Sequence, residues 1–368
     1  MVDRFAYPDD HKESVLEDLQ GAELPGGWKV TQRLSRKSFQ SGSCFSVGYI
    51  AEKGNERAFM KAFDFWDALK KDDPIAALNE LTQTYLFERE LLEMCGAAKM
   101  TKVVRAISNG TVADARAPLG SIFYLLFELA DGDVRTQLVE QKRDFAWRMR
   151  SLHHIGVALQ QLHQRGIYHQ DLKPSNVLVF TDESKLGDLG RAHCVNKAAP
   201  HDAAQIPGAF RYAPPELLYG SPMSDALAQK RSNDLYLFGS MMCFFVSGMP
   251  VTPFLLTKLD QQYRPFISHG GWRGFYRDAL PFLIVSYEDV ISDVRDVLTD
   301  ELPKSDGTNR IITDFIQLLR YATNPDPQLR GHPANRRMAY GNSLGLERFV
   351  SSVDLIATRV SILSKSHA

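Results

Sequence analysis

The chain has 368 residues, 44% of them hydrophobic, which suffices for one large two-lobed unit or two domains with a sizeable core. Its 43 Lys and Arg stand against 44 Asp and Glu, so no global field favours nucleic acid or an anionic membrane surface. The four cysteines, Cys44, Cys95, Cys194 and Cys243, are scattered without paired spacing, which argues against a zinc site or disulfide framework and for a reducing, cytoplasmic compartment. Asp3, Arg4, Asp9 and Asp10 crowd the start, a charge pattern that a secretory leader tolerates poorly. The longest uncharged run, 235–257, is interrupted by Gly239, Gly248, Pro250 and Pro253. It predicts a buried core helix followed by a loop rather than a membrane span.

In chain order, 11–20 predicts a short amphipathic helix with Val15, Leu16 and Leu19 on one side and Asp9 or Asp10 as its cap. Leu24-Pro25-Gly26-Gly27 ends it, so 1–27 is expected as an extension ahead of a domain that starts near Trp28. Alternation over 28–34, a Ser/Gly-rich turn and Tyr49-Ile50-Ala51 predict two strands of a hairpin. In 57–63, Ala58, Met60 and Ala62 alternate with Phe59, Lys61 and Phe63, another strand. A lysine flanked by bulky apolar residues calls for a partner, because an unpaired buried ammonium costs about 3–5 kcal/mol; a snorkelling edge lysine is the alternative. Over 76–95, Leu78, Leu81, Tyr85, Leu92 and Cys95 form a helical stripe. Glu88 lies in that stripe and is the expected partner of Lys61, with Glu90 as the second choice.

Residues 103–111 and 121–128 predict further strands, the second running through Phe127-Glu128-Leu129-Ala130 into an Asp131-Gly132-Asp133 turn. Residues 144–166 predict a helix with Trp147, Leu152, Ile155, Leu159 and Leu162 inward and Gly166 at its end. His153, His154 and His163 on it lack companions at metal spacing and are expected as surface or core histidines.

The chemistry concentrates next. Tyr168-His169-Gln170-Asp171-Leu172-Lys173-Pro174-Ser175-Asn176 places an acid, a cation and an amide within six residues, then enters an apolar strand, 177–180. Phosphoryl transfer needs charges positioned rather than bonds made by the protein. Asp171 can orient an attacking hydroxyl and accept its proton, Lys173 can neutralise the migrating phosphoryl group, and Asn176 can ligate magnesium. A polar turn between a helix and a strand is the alternative. About a dozen residues later Asp188, after a short strand and before Leu189-Gly190, is placed to chelate magnesium across phosphates.

The 168–180 segment resembles the catalytic loop of the protein kinase family, and Lys173-Pro174-Ser175-Asn176 resembles its serine/threonine branch rather than its tyrosine branch. Where the family usually has Arg before the catalytic Asp, this chain has Gln170, which argues against strict control through an activation-loop phosphate. Residues 41–51 resemble the family's phosphate cover, with Ser41, Ser43 and Ser46 where glycines would sit; an ordinary hairpin turn would look similar. The resemblance makes Lys61 the lysine that holds the nucleotide's α- and β-phosphates. It makes 127–133 the hinge, where backbone groups of Glu128, Leu129 and Ala130 bind the adenine edge and Phe127 walls the pocket. Residues 191–210, polar with several Ala and few Ser or Thr, become the activation segment. Glu216 then closes it, Asp234 binds the catalytic-loop backbone, and Arg330 pairs with Glu216; small-molecule kinases generally lack these three features. Residues 252–303 depart from the family, either as a cap, the preferred reading, or as a docking surface. A last helix, 343–364, carries Leu344, Phe349, Val350, Val353, Ile356, Val360 and Leu363, for packing on the body or for a dimer contact.

The resemblance spans about 28–330 and implies an α+β, bilobal protein-kinase fold. Its parts are a small β-rich N-lobe with one main helix (28–128), a larger helical C-lobe (129–335) and a helical tail (336–368). It implies a serine/threonine kinase that uses ATP and Mg2+ to phosphorylate a protein hydroxyl, with neither nucleic acid nor membrane as partner. A pseudokinase scaffold or nucleotide sensor is the main rival. Gln170 and the serines of the phosphate cover favour it; the presence of Lys61, Asp171, Asn176 and Asp188 opposes it. A small-molecule kinase is the second rival.

Overall fold

Alternating strands become an antiparallel sheet in the computed structural model, which describes residues 19–34, 46–63, 65–141, 143–265, 271–336, 338 and 342–366. The chain divides into two units. The first takes the described residues up to Lys99 together with Val104–Ala130; the second takes Met100–Val103 and the described residues from Asp131 onward.

The first unit holds β1 (Glu23–Leu24), β2 (Trp28–Arg33), β3 (Ser46–Lys53), β4 (Glu56–Phe63), α1 (Trp66–Leu69), α2 (Pro74–Ala97), β5 (Ala106–Ala113) and β6 (Ser121–Glu128). The six strands form one sheet in the order β1-β2-β3-β4-β6-β5. Ala58, Met60 and Ala62 of β4 are buried, with Val30, Tyr49, Tyr124 and Leu126 from neighbouring strands. The sheet begins ahead of Trp28. Gly26 and Gly27 take φ of 82° and 80°, which lets the chain reverse and pair Glu23 with Lys29 and Leu24 with Trp28. Leu19 and Leu24 are thereby buried beside Trp28, so this stretch joins the core instead of preceding it. Of the helix expected over 11–20, residues 11–18 lie outside the described residues. Asp73 caps α2 by accepting from Ala76 N (2.9 Å), and Pro74 opens the helix where no N–H is needed.

The second unit runs through β7 (Gly132–Asp133), α3 (Val134–Gln141), α4 (Phe145–His163), β8 (Ile167–Tyr168), β9 (Val177–Phe180), β10 (Glu183–Leu186) and β11 (His193–Cys194). Then follow α5 (Pro215–Leu218), α6 (Ala226–Ser247), α7 (Val251–Lys258), α8 (Tyr276–Glu301), α9 (Asp306–Thr323), α10 (Pro333–Arg336) and α11 (Leu346–Ser366). Strands β7, β9 and β10 form a small sheet, and β8 pairs with β11. Asp144 caps α4 through Trp147 N (2.7 Å), and Leu152, Ile155, Leu159 and Leu162 of its inward stripe are buried. From Ser232 to Val246 every residue of α6 is buried, and from Leu235 onward this segment is accordingly uncharged around its whole circumference.

After α6 the expected loop is instead α7. Gly248 ends α6 at φ 75°, Pro250 precedes the new helix, and Pro253 falls in its first turn, where the missing N–H costs nothing. Among the described residues no single helix is long and apolar enough to cross a membrane; α6 and α7 reach that length only together, across a 72° bend. Helix α8 runs 26 residues through an internal proline, Pro281. Its buried stripe of Ala279, Leu283, Tyr287, Val290, Val294 and Leu298 packs against α6, α7 and α9. Much of 252–303 therefore covers the helical body, while His269 and Gly270 lie outside the described residues. Helix α11 lies on α4 and α9, burying Phe349, Val353, Ile356 and Val360, so packing on the body is the alternative its stripe adopts. Cys95, Cys194 and Cys243 are buried without disulfides, and Cys44 lies outside the described residues.

The contact of α6 with α9 depends on one absent methyl. A Cβ on Gly239 would stand 2.4 Å from Thr323 Cγ2 and 2.6 Å from Ala322 Cβ. Gly239→Ala is expected to destabilise the second unit by about 1–3 kcal/mol, as overpacking of a filled core does. Urea unfolding of the variant against the parent chain measures it.

Candidate active site

In the first unit, β4 carries Lys61 and the buried face of α2 carries Glu88. Lys61 Nζ lies 2.9 Å from both carboxylate oxygens of Glu88. The side chains are 12% and 1% exposed, so the ion pair is nearly dry. Tyr85, Leu91, Leu92 and Cys95 bury the same helix face, while Glu90, two positions on and so on another face, is only half-buried. An ammonium in a strand between Met60 and Ala62 thus has the carboxylate that its burial demands.

Ser46 opens β3 and is half-buried; Ser41 and Ser43 lie outside the described residues. Glu128 ends β6. Its N–H donates to Arg105 O (3.1 Å), and its carboxylate accepts from Arg105 N (2.8 Å), so both groups bind the chain entering β5. Ala130, the last residue of the first unit, is half-buried and outside any regular element, and Phe127 is buried.

In the second unit the 168–176 stretch is buried despite its polarity: His169, Gln170, Asp171, Lys173 and Asn176 are all under 10% exposed. Buried polar groups demand partners, and each of these has them. Asp171 Oδ2 accepts from Lys173 Nζ (2.6 Å) and Asn176 Nδ2 (3.2 Å), and its Oδ1 accepts from Ala209 N (2.7 Å). Asn176 Nδ2 also donates to Asp171 O at 2.9 Å. With both amide hydrogens directed at Asp171, Asn176 Oδ1 makes no hydrogen bond among the described residues. The β9–β10 hairpin brings the chain just ahead of Asp188 beside the Asn176 backbone: Val177 pairs with Leu186, and Gly187 N donates to Asn176 O (2.9 Å). Asp188 itself takes the left-handed conformation at φ 59°. Among the described residues no cluster of three or more His, Cys, Asp or Glu stands at metal-binding distance. Asn176 and Asp188 carry oxygen donors of the kind that magnesium takes, an ion that accepts one or two protein oxygens and completes its shell with phosphate and water.

Helix α6 holds this loop from beneath. Asp234, fully buried, accepts from His169 N and Gln170 N (2.8 Å each), from Gln170 Nε2 (3.0 Å) and from His163 Nε2 (2.7 Å). Four donors on one carboxylate satisfy it without a salt bridge to Lys or Arg. Further along, Arg330 donates from Nη1 and Nη2 to the two oxygens of Glu216 (2.7 and 2.9 Å), both side chains wholly buried. Burial would lower the Arg330 pKa, but the Glu216 carboxylate outweighs it and holds the guanidinium above its usual range.

Several residues of the site escaped the sequence reading. Gln170, with φ 62°, turns its side chain into α6: Nε2 donates to Lys230 O (2.8 Å), and Oε1 accepts from Asn233 Nδ2 (3.1 Å). Asn233 Oδ1 accepts from Gln229 Nε2 (2.6 Å), which also reaches Glu216 Oε1 (3.3 Å). A chain of amides therefore links the residue beside Asp171 to the Glu216–Arg330 pair. His163 serves Asp234, a role its lack of metal spacing did not reveal. Gly208 packs so close that a Cβ there would lie 2.3 Å from Gln170 O and 2.9 Å from Asp171 Oδ1. Burial pushes the His154 imidazole down to about 4, and His201 likewise to about 4 with Arg191 adding to the effect; both stay neutral.

The family model described as protein kinase domain matches residues 55–271, more than half of the chain. Cyclin-dependent kinase F-4 of Oryza sativa subsp. japonica is 25% identical over 197 residues, 51% of this chain and 40% of the relative. Aurora/IPL1-related protein kinase 2 of Caenorhabditis briggsae is 34% identical over 132 residues, 34% of this chain and 40% of the relative. Serine/threonine-protein kinase PknA of Mycobacterium tuberculosis is 30% identical over 132 residues, 35% of this chain and 29% of the relative. The matches thus cover less than half of these relatives' own length. A β-rich first unit with one long helix, a helical second unit and a polar loop pinned to α6 agree with the matched model, and the chain belongs to the Hanks-type protein kinase family.

Proposed function

We propose that this chain is a serine/threonine protein kinase that transfers the γ-phosphate of ATP, with magnesium, to a protein hydroxyl. The observation that carries this reading is the state of Asp171. Its carboxylate is held by Lys173, Asn176 and Ala209, on a loop whose backbone is fastened to Asp234. A carboxylate oxygen has two acceptor positions, so Oδ1 retains one for an incoming hydroxyl beside the Ala209 N–H. The hydroxyl oxygen forms the new bond to the γ-phosphorus, the bond to the bridging oxygen breaks, ADP departs, and Asp171 accepts the proton. Lys173 neutralises the transferring group, and Lys61, oriented by Glu88, holds the α- and β-phosphates. Asn176 and Asp188 are the residues that would hold magnesium, which when bound spreads the phosphate charge. Ser46, with Ser41 and Ser43, would cover the phosphates, and the Glu128 and Ala130 backbone would take the adenine edge.

The Lys61–Glu88 pair of the first unit and the anchored Asp171 of the second, with Asn176 and Asp188 retained in the sequence, support an enzyme over a scaffold, because these are the polar groups that phosphoryl transfer needs. Incubation with γ-labelled ATP, magnesium and a mixed protein acceptor is expected to leave label on serine and threonine. Recovery of label on small molecules alone, or no label at all, overturns the reading. Phosphoamino-acid analysis decides the residue preference.

A further inference from the structure

From residue 189 to 216 the sequence contains no Ser and no Thr; its one hydroxyl is that of Tyr212. The same stretch has little regular structure, only short 3-10 turns, β11 and the start of α5, so ordering it has a large entropic cost. One side chain gathers its first half, as Asp171 holds Ala209 in the second. Asp202 Oδ1 accepts from His193 Nδ1 (2.6 Å), and its Oδ2 accepts from Ala199 N (3.1 Å). Lys230 Nζ of α6 stands 3.8 Å from the same carboxylate. Asp202 N donates to Ala199 O and Ala204 N to His201 O, which closes the turn around it. Burial alone would raise the Asp202 pKa, but the bonds from His193 and Ala199 outweigh it and keep the carboxyl below its usual range.

Both partners lead directly to Asp171. His193 is paired in register with Tyr168, and the two rings stack at 6.1 Å. Tyr168 is followed by His169, Gln170 and Asp171. Lys230 offers its ammonium to Asp202 and its carbonyl to Gln170 Nε2 (2.8 Å), so one residue of α6 touches both the segment and the loop. Gln170 itself is neutral, with both ends of its amide bonded to α6.

We infer that Asp202 is a positioning residue that holds the 189–212 segment in its ordered form through His193 and Lys230, so that phosphoryl transfer by this chain needs no covalent modification of that segment. The inference rests on the kinase reading above. It makes the carboxylate of Asp202 a permanent substitute for an added phosphate, seated by an imidazole and an ammonium rather than by a guanidinium beside Asp171.

The test uses the full chain, freed of phosphate by phosphatase and checked by intact mass. Wild type is expected to show the same initial rate, within about two-fold, before and after preincubation with magnesium and ATP. Asp202→Asn is expected to lower kcat on the order of ten-fold with the KM for ATP unchanged, as loss of a charge-assisted hydrogen bond does. Amide exchange across 189–212 rises in that variant while exchange in α4 stays unchanged, and Asp202→Glu restores most of the rate. A variant with wild-type kcat and wild-type exchange overturns the inference. A ten-fold or greater gain of the wild type on preincubation, with phosphate on Tyr212, overturns it too. Wild type that transfers no phosphate under any condition defeats the kinase reading instead, and the exchange comparison then still decides the role of Asp202.

Discussion

Asp171→Ala is expected to lower the turnover of phosphoryl transfer by roughly 10²–10⁴-fold, the range in which a positioned general base contributes. The ATP KM should stay within about two-fold, because in the proposed roles Asp171 meets the hydroxyl and not the nucleotide. The effect has two sources. Removing the carboxylate takes away the proton acceptor, and it also leaves Lys173 Nζ and Ala209 N without the oxygens they now meet at 2.6 and 2.7 Å. Asp171→Asn separates the sources, since its amide preserves shape and one acceptor but cannot take the proton. If both variants keep more than about a tenth of the parent turnover, Asp171 is not the base. Thermal unfolding of both proteins excludes a trivial loss of structure, because the loop is held independently by Asp234.

The second large effect concerns stability. Arg330→Met is expected to cost about 3–5 kcal/mol, because it strands the Glu216 carboxylate in a site with no solvent access. Arg330 also donates to Ser232 Oγ (2.8 Å) and Asn324 O (3.1 Å) and lies 4.8 Å from the Tyr236 ring centroid, so a single substitution disturbs four partners. Glu216→Leu on its own strands the guanidinium instead. The double variant should be less destabilised than the sum of the singles by about 0.5–3 kcal/mol, the coupling usual for residues in direct contact. Urea unfolding of all four proteins gives that coupling, and simple additivity would show that the pair carries little of the unit's stability. Because Gln229 joins Glu216 to Asn233 and thence to Gln170, the single variants should also loosen the 168–176 loop, visible as faster amide exchange there.

Much of the polar cluster was legible in residue order alone. Asp171, Lys173 and Asn176 lie within six residues, so the local 3-10 turn Pro174–Asn176 suffices to bring them together. Lys61 declared itself by standing between Met60 and Ala62 in an alternating strand, where an ammonium must have a partner. The apolar stripes of α4 and α11 likewise follow from a period that the sequence repeats.

Other features depend on which distant groups meet, and no period encodes that. Glu88 and Glu90 differ by two positions on one helix, and only the packing of α2 turned Glu88 toward Lys61. The hairpin that draws Leu19 and Leu24 into the first core depends on two consecutive left-handed glycines, which in the sequence signal a break equally well. Pro253 suggested interruption, yet it falls within the first turn of α7, where its missing N–H costs nothing. The amide chain from Gln170 and the carboxylate of Asp202 were invisible for the same reason. Hydrogen bonds between α6 and the loop span 60 positions or more, and a buried polar group reveals its partner only once the fold has enclosed both.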